Sequence, residues 1–278
     1  MRLKGCRLTK PCAYNLTRSE VHYRHEVFSA GLLAAGYDVR NKLGPERARP
    51  GDLLLIWNRY GHFNEYAARF ERSGGTVVVA ENGYLGRDPE DRQYFALACG
   101  GHNGSGSWRE GLEDRFSALG VALQPWRREG SHIVVRGQRG IGSPLMASPP
   151  NWARDFAERL RRVTKRKVVV VPHPGEGAER DRSHEQYLKG AHALVIWSSS
   201  VGVKALAMGV PVFYCAPHWI CSSAARWIPS GGKSAEMLDV EHPLMDDELR
   251  LDSMHRMSWA QWSLAEIATG RPFKELLA

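Results

Sequence analysis

Ala193-Leu194-Val195-Ile196-Trp197-Ser198-Ser199-Ser200-Val201-Gly202-Val203-Lys204-Ala205-Leu206-Ala207-Met208-Gly209-Val210-Pro211-Val212-Phe213-Tyr214 is the stretch on which the reading of this chain turns. Its opening, Ala193–Trp197, is a short unbroken apolar run, the pattern of a strand buried on both faces. Ser198, Ser199 and Ser200 supply a turn, and Val201–Met208 has the make-up of a short helix. Gly209 fits the position just past a helix end, and Pro211–Tyr214 reads as the next strand. Strand, polar turn, helix and strand again is the unit of a parallel α/β sheet. At such a turn, free amides and the helix dipole favour an anion, and three hydroxyls add donors. The turn therefore reads either as a seat for a phosphate or diphosphate, or as plain helix caps.

The flanking sequence repeats the unit. Upstream, His132–Val135 reads as a strand, followed by Arg136-Gly137-Gln138-Arg139-Gly140-Ile141-Gly142-Ser143. That loop sets glycines beside amide and guanidinium donors at a strand's carboxyl end, and a planar arginine fork suits phosphate. A helix over about 150–163 carries Trp152, Phe156, Leu160 and Val163 on one stripe, and Lys167–Val171 is the next strand. Pro172-His173-Pro174-Gly175 then holds an imidazole in a stiff turn, where it could meet phosphate or serve the fold. A helix at 184–190 leads back to Ala193. Downstream, His218–Ser234 is irregular, and Ser253–Thr269 reads as one helix lined by Met257, Ala260, Leu264 and Ile267, stopped by Gly270 and Pro272.

The first half alternates in the same way: a possible edge strand at Leu3–Leu8, a helix over 18–35, and strands at Tyr37–Arg40, Asp52–Trp57 and Thr76–Ala80 around a helix at Phe63–Arg72. A weaker helix is expected near Glu110–Leu119. Ligands of such sheets sit at the carboxyl ends of strands. Two segments qualify, Asn58–His62 and Glu81–Gly86, and the second offers Glu81 as a general base or as a solvated turn carboxylate. The run Gly100–Trp108 is the richest in glycine and contains His102, a second candidate base. It has neither the Gly-Lys-Ser/Thr ending of a P-loop nor the surroundings of a dinucleotide fingerprint. Residues 127–131 read as a linker, which divides the chain into 1–126 and 127–278.

Composition narrows the classes. Hydrophobic residues at 43% and charged residues at 24% are those of an ordinary globular protein. Nothing approaches a membrane span or a secretory signal. Five scattered cysteines without a Cys-x-x-Cys pair argue against a disulfide framework or structural zinc, and for a reducing cytoplasm. His22 and His25 lack a third ligand nearby, and no His-Glu-x-x-His, Gly-x-Ser-x-Gly or acidic metal cluster is present. The net charge of +8 is uneven: residues 1–150 hold 21 Lys and Arg against 15 Asp and Glu, whereas residues 151–278 hold 17 against 15. A basic half suits an anionic partner, nucleic acid before membrane surface, or simply a soluble exterior.

Taken in order, the histidine–proline turn, Trp197–Leu206 and Met208–Val212 resemble the donor half of two-domain nucleotide-sugar glycosyltransferases of GT-B architecture, capsule-type transferases among them. The resemblance implies two Rossmann-like domains facing a cleft. Residues 1–126 would bind the acceptor, and 127–278 the donor, with the last helix crossing back. By the same resemblance Ser198, Ser199 and Ser200 would hold the donor diphosphate, His173 would approach it, Gln138 and Arg139 would reach across the cleft, and Gly140 would join the donor site. Lys204 stands where many such enzymes carry an acidic residue for the ribose, and Val171 where an arginine is common. The catalytic set implied is Glu81 or His102 as base and Arg139 for the leaving group, with a nucleotide sugar, UDP-linked, as donor and no metal. The short length is similar to bacteriophage glucosyltransferases, which implies hydroxymethylated pyrimidine in double-stranded DNA as acceptor, flipped into the cleft. Two other classes stay open: a membrane-associated surface-polysaccharide transferase, and a nucleotide- or DNA-binding module without turnover.

Overall fold

The computed structural model describes residues 10–44, 47–143, 146–173, 184–231, 233, 236 and 238–278. The strand expected at Leu3–Leu8 and the Pro174-Gly175 end of the histidine turn lie outside them. The architecture is α/β, built on two sheets of mainly parallel strands. In the first, β1 (Cys12–Asn15) lies between β2 (Asp38–Arg40) and β3 (Leu53–Trp57), and β3 pairs with β4 (Thr76–Arg87), all parallel. β5 (Gln93–Cys99) then runs antiparallel to β4, and β11 (Gln261–Trp262) antiparallel to β5. The second sheet is all parallel, in the order β10-β9-β8-β6-β7. Its strands are β6 (His132–Arg136), β7 (Lys167–Val171), β8 (Ala191–Ile196), β9 (Val212–Tyr214) and β10 (Arg226–Trp227).

The apolar runs are continuous because alternate residues of each strand serve different cores. In β3, Leu53 and Leu55 pack with Phe28 and Leu32 of α1 (His25–Ala34), whereas Leu54 and Ile56 pack with Ala67 and Phe70 of α2 (Gly61–Arg72). All four leucine and isoleucine side chains are fully buried, each contributing about 1.5–3 kcal/mol. The second sheet repeats the plan. Ile133, Val135, Ala193 and Val195 face Trp152, Phe156 and Leu160 of α4 (Trp152–Arg161). Val134, Leu194 and Ile196 face Val203 and Leu206 of α6 (Val201–Ala207). That last core is shared: Tyr84, Leu85 and Ala96 of the first sheet and Phe116 of α3 (Arg115–Ala118) belong to it as well.

The C-terminal segment departs from the single helix read at Ser253–Thr269. It is α7 (Asp247–Ala260), the two-residue strand β11, α8 (Leu264–Ala268) and α9 (Arg271–Leu277). The break is imposed by a distant partner, the far end of β4. Gln261 Oε1 accepts hydrogen bonds from Tyr84 N (2.9 Å) and Leu85 N (3.2 Å), and its Nε2 donates to Leu85 O (2.7 Å). Its backbone is accordingly extended, and Ser263 with Glu266 opens a new helix through a capping box. Trp259, Trp262, Ile267 and Phe273 then bury against Phe28 and Phe95 of the first half.

Two further readings are corrected. Glu81–Gly86 is not a loop, since β4 continues to Arg87 because the apolar β5 is there to pair with it. The helix expected over Glu110–Leu119 is confined to α3, started by Asp114, whose side chain accepts from Ser117 N. Elsewhere the helix end at Gly209 is as read. Gly209 has φ +70°, and a Cβ there would stand 2.0 Å from Pro125 O.

Candidate functional site

The second sheet has a topological switch point. From β6 the chain goes one way to β7, then back past β6 to β8, β9 and β10, so the loops after β6 and β8 diverge at neighbouring carboxyl ends. Crevices of this kind are where open α/β sheets bind ligands. Gln138 and Ser198 meet across it. Ser198 N donates to Gln138 Oε1 (2.6 Å), and Gln138 Nε2 donates to Ser198 Oγ (3.3 Å). Ser198 is buried, so its hydroxyl is sealed inside and spent on Gln138. Ser199 is half-buried and Ser200 exposed, with no capping hydrogen bond from the Ser200 side chain. The outward-facing hydroxyls of the turn are therefore the second and third.

Beside the same crevice lies a cavity of about 690 Å³, walled by Gly137–Gly140, Pro172 and the start of α4 from Ser148 to Arg154. Arg139 on its wall is exposed and makes no hydrogen bond or ion pair to a described residue. Gly140 has φ +65°. α4 begins at Asn151, a left-handed residue whose side chain does not cap it, so the positive end of the helix dipole opens on the cavity. Cation, glycine backbone and helix start converge on one volume, which suits an anion. His173 follows β7 directly, its amide close to Gly137. Lys204 stands apart from the cavity wall, exposed on α6. Partial desolvation of its ammonium, then the charge of Arg87 from the first sheet, pull its pKa below the usual lysine range.

In the first half, Glu81 sits one residue past the last parallel pair, Trp57 with Ala80. Its Oε1 accepts from Tyr84 Oη (2.5 Å) and from Asn103 N (2.6 Å), and no described residue bonds to Oε2. Tyr84 is buried. That burial, then the Glu81 charge, pushes the phenol well above its ordinary pKa, so it stays protonated and donates. The arrangement is a carboxylate with one oxygen tied down and the other open, as a general base requires.

His102 lines a second cavity of about 240 Å³ that takes walls from both halves. Arg59, Asn64 and Gly100–His102 lie on one side, and Ser143, Met146 and His218 on the other. The buried Nδ1 of His102 has no hydrogen-bond partner among the described residues. Arg59 is already spent on Glu71 (2.8 Å to each oxygen), Asn64 (3.1 Å) and Gly100 O. Next to His102, Asn103 reaches across, its Nδ2 donating to Ser198 O. Sequence reasoning passed over Asn103. Its one signal was an Asn-Gly pair in a glycine-rich run, the mark of a left-handed turn.

Thus Gln138, Arg139, Gly140, His173 and Ser198–Ser200 lie along the carboxyl edge of the second sheet, Glu81 is joined to Ser198 through Asn103, His102 lines the smaller cavity, and Lys204 lies outside the wall of the larger one. No protein-family model and no curated protein sequence matches the chain. Among solved structures it is similar to Thermosulfurimonas dismutans KpsC, beta Kdo 2,4 transferase, with a TM-score of 0.55 and 11% identity over 88% of this chain and 90% of that one. It is also similar to Thermosulfurimonas dismutans KpsC, beta Kdo 2,7 transferase, with a TM-score of 0.51 and 15% identity over 84% of this chain and 90% of that one. At such identities the likeness is one of fold, and the chain shares the Rossmann-like α/β architecture of these transferase structures.

Proposed function

We propose that the chain is a glycosyltransferase that moves a sugar from a nucleotide-activated donor to a hydroxyl of a saccharide acceptor. In this reading the halves, 1–126 and 127–278, act as the acceptor and donor sides of a GT-B cleft. The observation that carries it is the arrangement of Glu81, Asn103 and Ser198, which sets an oriented carboxylate of the first half against the serine turn of the second. The donor's nucleotide takes the 690 Å³ cavity, and its phosphate meets Arg139, His173, Ser199 and Ser200. The acceptor hydroxyl gives its proton to Glu81 Oε2 as its oxygen bonds to the anomeric carbon. The bond from that carbon to the phosphate oxygen breaks, and its electron pair leaves with the nucleotide, where the cation and hydroxyls hold the charge. The names of the two fold neighbours, Kdo 2,4 and Kdo 2,7 transferase, agree with transfer of a sugar to a saccharide hydroxyl.

Hydroxymethylated DNA is the second reading, favoured by the net charge of +8 and by Arg47, Arg69 and Arg72 around an open groove of about 460 Å³. Against it, Arg40, Arg49, Arg59, Arg87, Arg92 and Arg115 are already in ion pairs. The test is incubation with CMP-, UDP-, GDP- and dTDP-activated sugars, Kdo included, against oligosaccharides and hydroxymethylated DNA, followed by mass analysis. Transfer to a saccharide supports the proposal, and transfer to DNA supports the second reading. Neither turnover nor nucleotide binding from any donor overturns both.

A further inference from the structure

The geometry points to Asn103 as a positioning residue that fixes the distance between the base and the donor turn; this rests on the transferase reading above. The loop that carries it is closed on itself. Cys99 and Ser107 form a bridge, exchanging hydrogen bonds of 2.8 and 2.9 Å. Ser105 Oγ accepts from His102 N (3.1 Å) and donates to His102 O (2.7 Å). Gly106 is packed so tightly that a Cβ there would stand 2.5 Å from Gly101 O. A loop cross-linked in this way carries its tip as a rigid piece.

The tip is Asn103, left-handed at φ 50° and 8% exposed, with its Oδ1 buried and bonded to no described residue. Asparagine is among the few side chains that tolerate this backbone, so the main chain aims its N–H at Glu81 while the amide aims at Ser198. The next residue, Gly104, lies against the backbone of Trp219 and Ile220, where a Cβ would stand 2.4 Å from Trp219 C. The loop is thus wedged into the second half at two consecutive residues.

On the far side, Ser198 is gripped three times: its N and Oγ by Gln138 and its O by Asn103. Gln138 belongs to the same sheet as the turn and sets it within the second half. Among the described residues, only Asn103 is hydrogen-bonded to both it and Glu81. A base and a donor held on different sheets must keep a near-attack separation to within a fraction of an ångström, and a misplacement of about 1 Å can cost on the order of 100-fold. One residue bonded to both is the shortest means of keeping it.

Asn103→Gly separates this role from packing. Glycine accepts φ 50° at no cost and keeps the amide that binds Glu81, but removes the bond to Ser198 O. Asn103→Asp keeps the shape and turns the donor into an acceptor facing a carbonyl. With the donor that wild-type protein turns over, N103G is expected to lower kcat for transfer about 10- to 100-fold. Its Kd for the free nucleotide should stay within threefold of wild type, and the acid limb of its pH–rate profile should not move. N103D should be worse than N103G. Transfer within threefold of wild type in N103G, or equal losses in kcat and nucleotide binding, overturns the inference.

If wild-type protein turns over no nucleotide sugar, the transferase reading fails by itself and the link is read by hydrogen–deuterium exchange. Faster exchange in N103G at both 79–84 and 198–203 supports it, and a change confined to 100–107 refutes it.

Discussion

Gln261→Ala should be the most damaging single change to a residue outside the apolar core. Gln261 is fully buried and its side chain makes three hydrogen bonds, to Tyr84 N, Leu85 N and Leu85 O. Alanine leaves two amides and one carbonyl without partners in a place that water does not reach. Each such group costs about 1–3 kcal/mol, so with partial relaxation the loss is roughly 3–6 kcal/mol. In urea, with a slope of about 3 kcal/mol per molar, the midpoint should fall by about 1–2 M. Gln261→Met fills the same volume without polar atoms and separates lost hydrogen bonds from lost packing; it should be almost as unstable as Q261A. Unfolding would be followed by far-UV circular dichroism and by the fluorescence of the flanking Trp259 and Trp262. A Q261M midpoint within about 0.3 M of wild type, which is about 1 kcal/mol, would sink the reasoning.

Glu81→Gln keeps an acceptor for Tyr84 and Asn103 but cannot take a proton; transfer should drop by about 10²–10⁴-fold with the melting temperature unchanged, and near-normal turnover would move the base elsewhere. Gly209→Ala combines φ +70° with a contact of 2.0 Å to Pro125 O and should destabilise by more than about 1–2 kcal/mol in a thermal or urea melt. Arg115→Met tests an acid response. Burial alone would raise the pKa of Glu266, but hydrogen bonds and charge from Arg115, together with the Ser263 amide, carry it below the usual value. A carboxylate depressed in the folded state stabilises above its unfolded pKa, about 4.3, and that contribution disappears as pH falls through the folded value. The stability gap between wild type and R115M should therefore be widest at pH 6–7 and close below pH 4. A gap independent of pH would argue that Arg115 acts through its stacking on Trp262, at 4.2 Å, and its bonds to Ser258 O and Gln261 O rather than through Glu266.

What could be read from the chain beforehand was what local periodicity controls. Lys167–Val171 was legible to the residue, and Leu53–Trp57 and Ala191–Ile196 nearly so, because a strand buried on both faces announces itself as an unbroken apolar run. The harder segments owe their form to distant partners. Glu81–Arg87 mixes charge with glycine and looks like a loop, yet it is a strand because β5 lies beside it. β11 is two residues inside a helical pattern, since Trp259 and Trp262 at a spacing of three suit a helix as well as they suit the first core. Along the carboxyl edge of the second sheet Gln138, Arg139 and the serines could be read from their position after strands. That Ser198 faces inward and Ser200 outward follows from Gln138, which stands sixty residues earlier. Asn103 was invisible, as its value comes from touching two segments on either side of it in the chain at once.

The outer strand of the first sheet has a consequence for how the molecule comes into being. Tyr84 and Leu85 wait for Gln261, 177 and 176 residues downstream, and Phe28 and Phe95 wait for Trp262 and Phe273. During synthesis the N-terminal portion therefore emerges with a raw edge and an uncovered greasy flank, the condition in which nascent chains stick to one another or recruit chaperones. Gene fragments cut between residues 126 and 127 should yield an insoluble front piece, and co-expressing the back piece should rescue it.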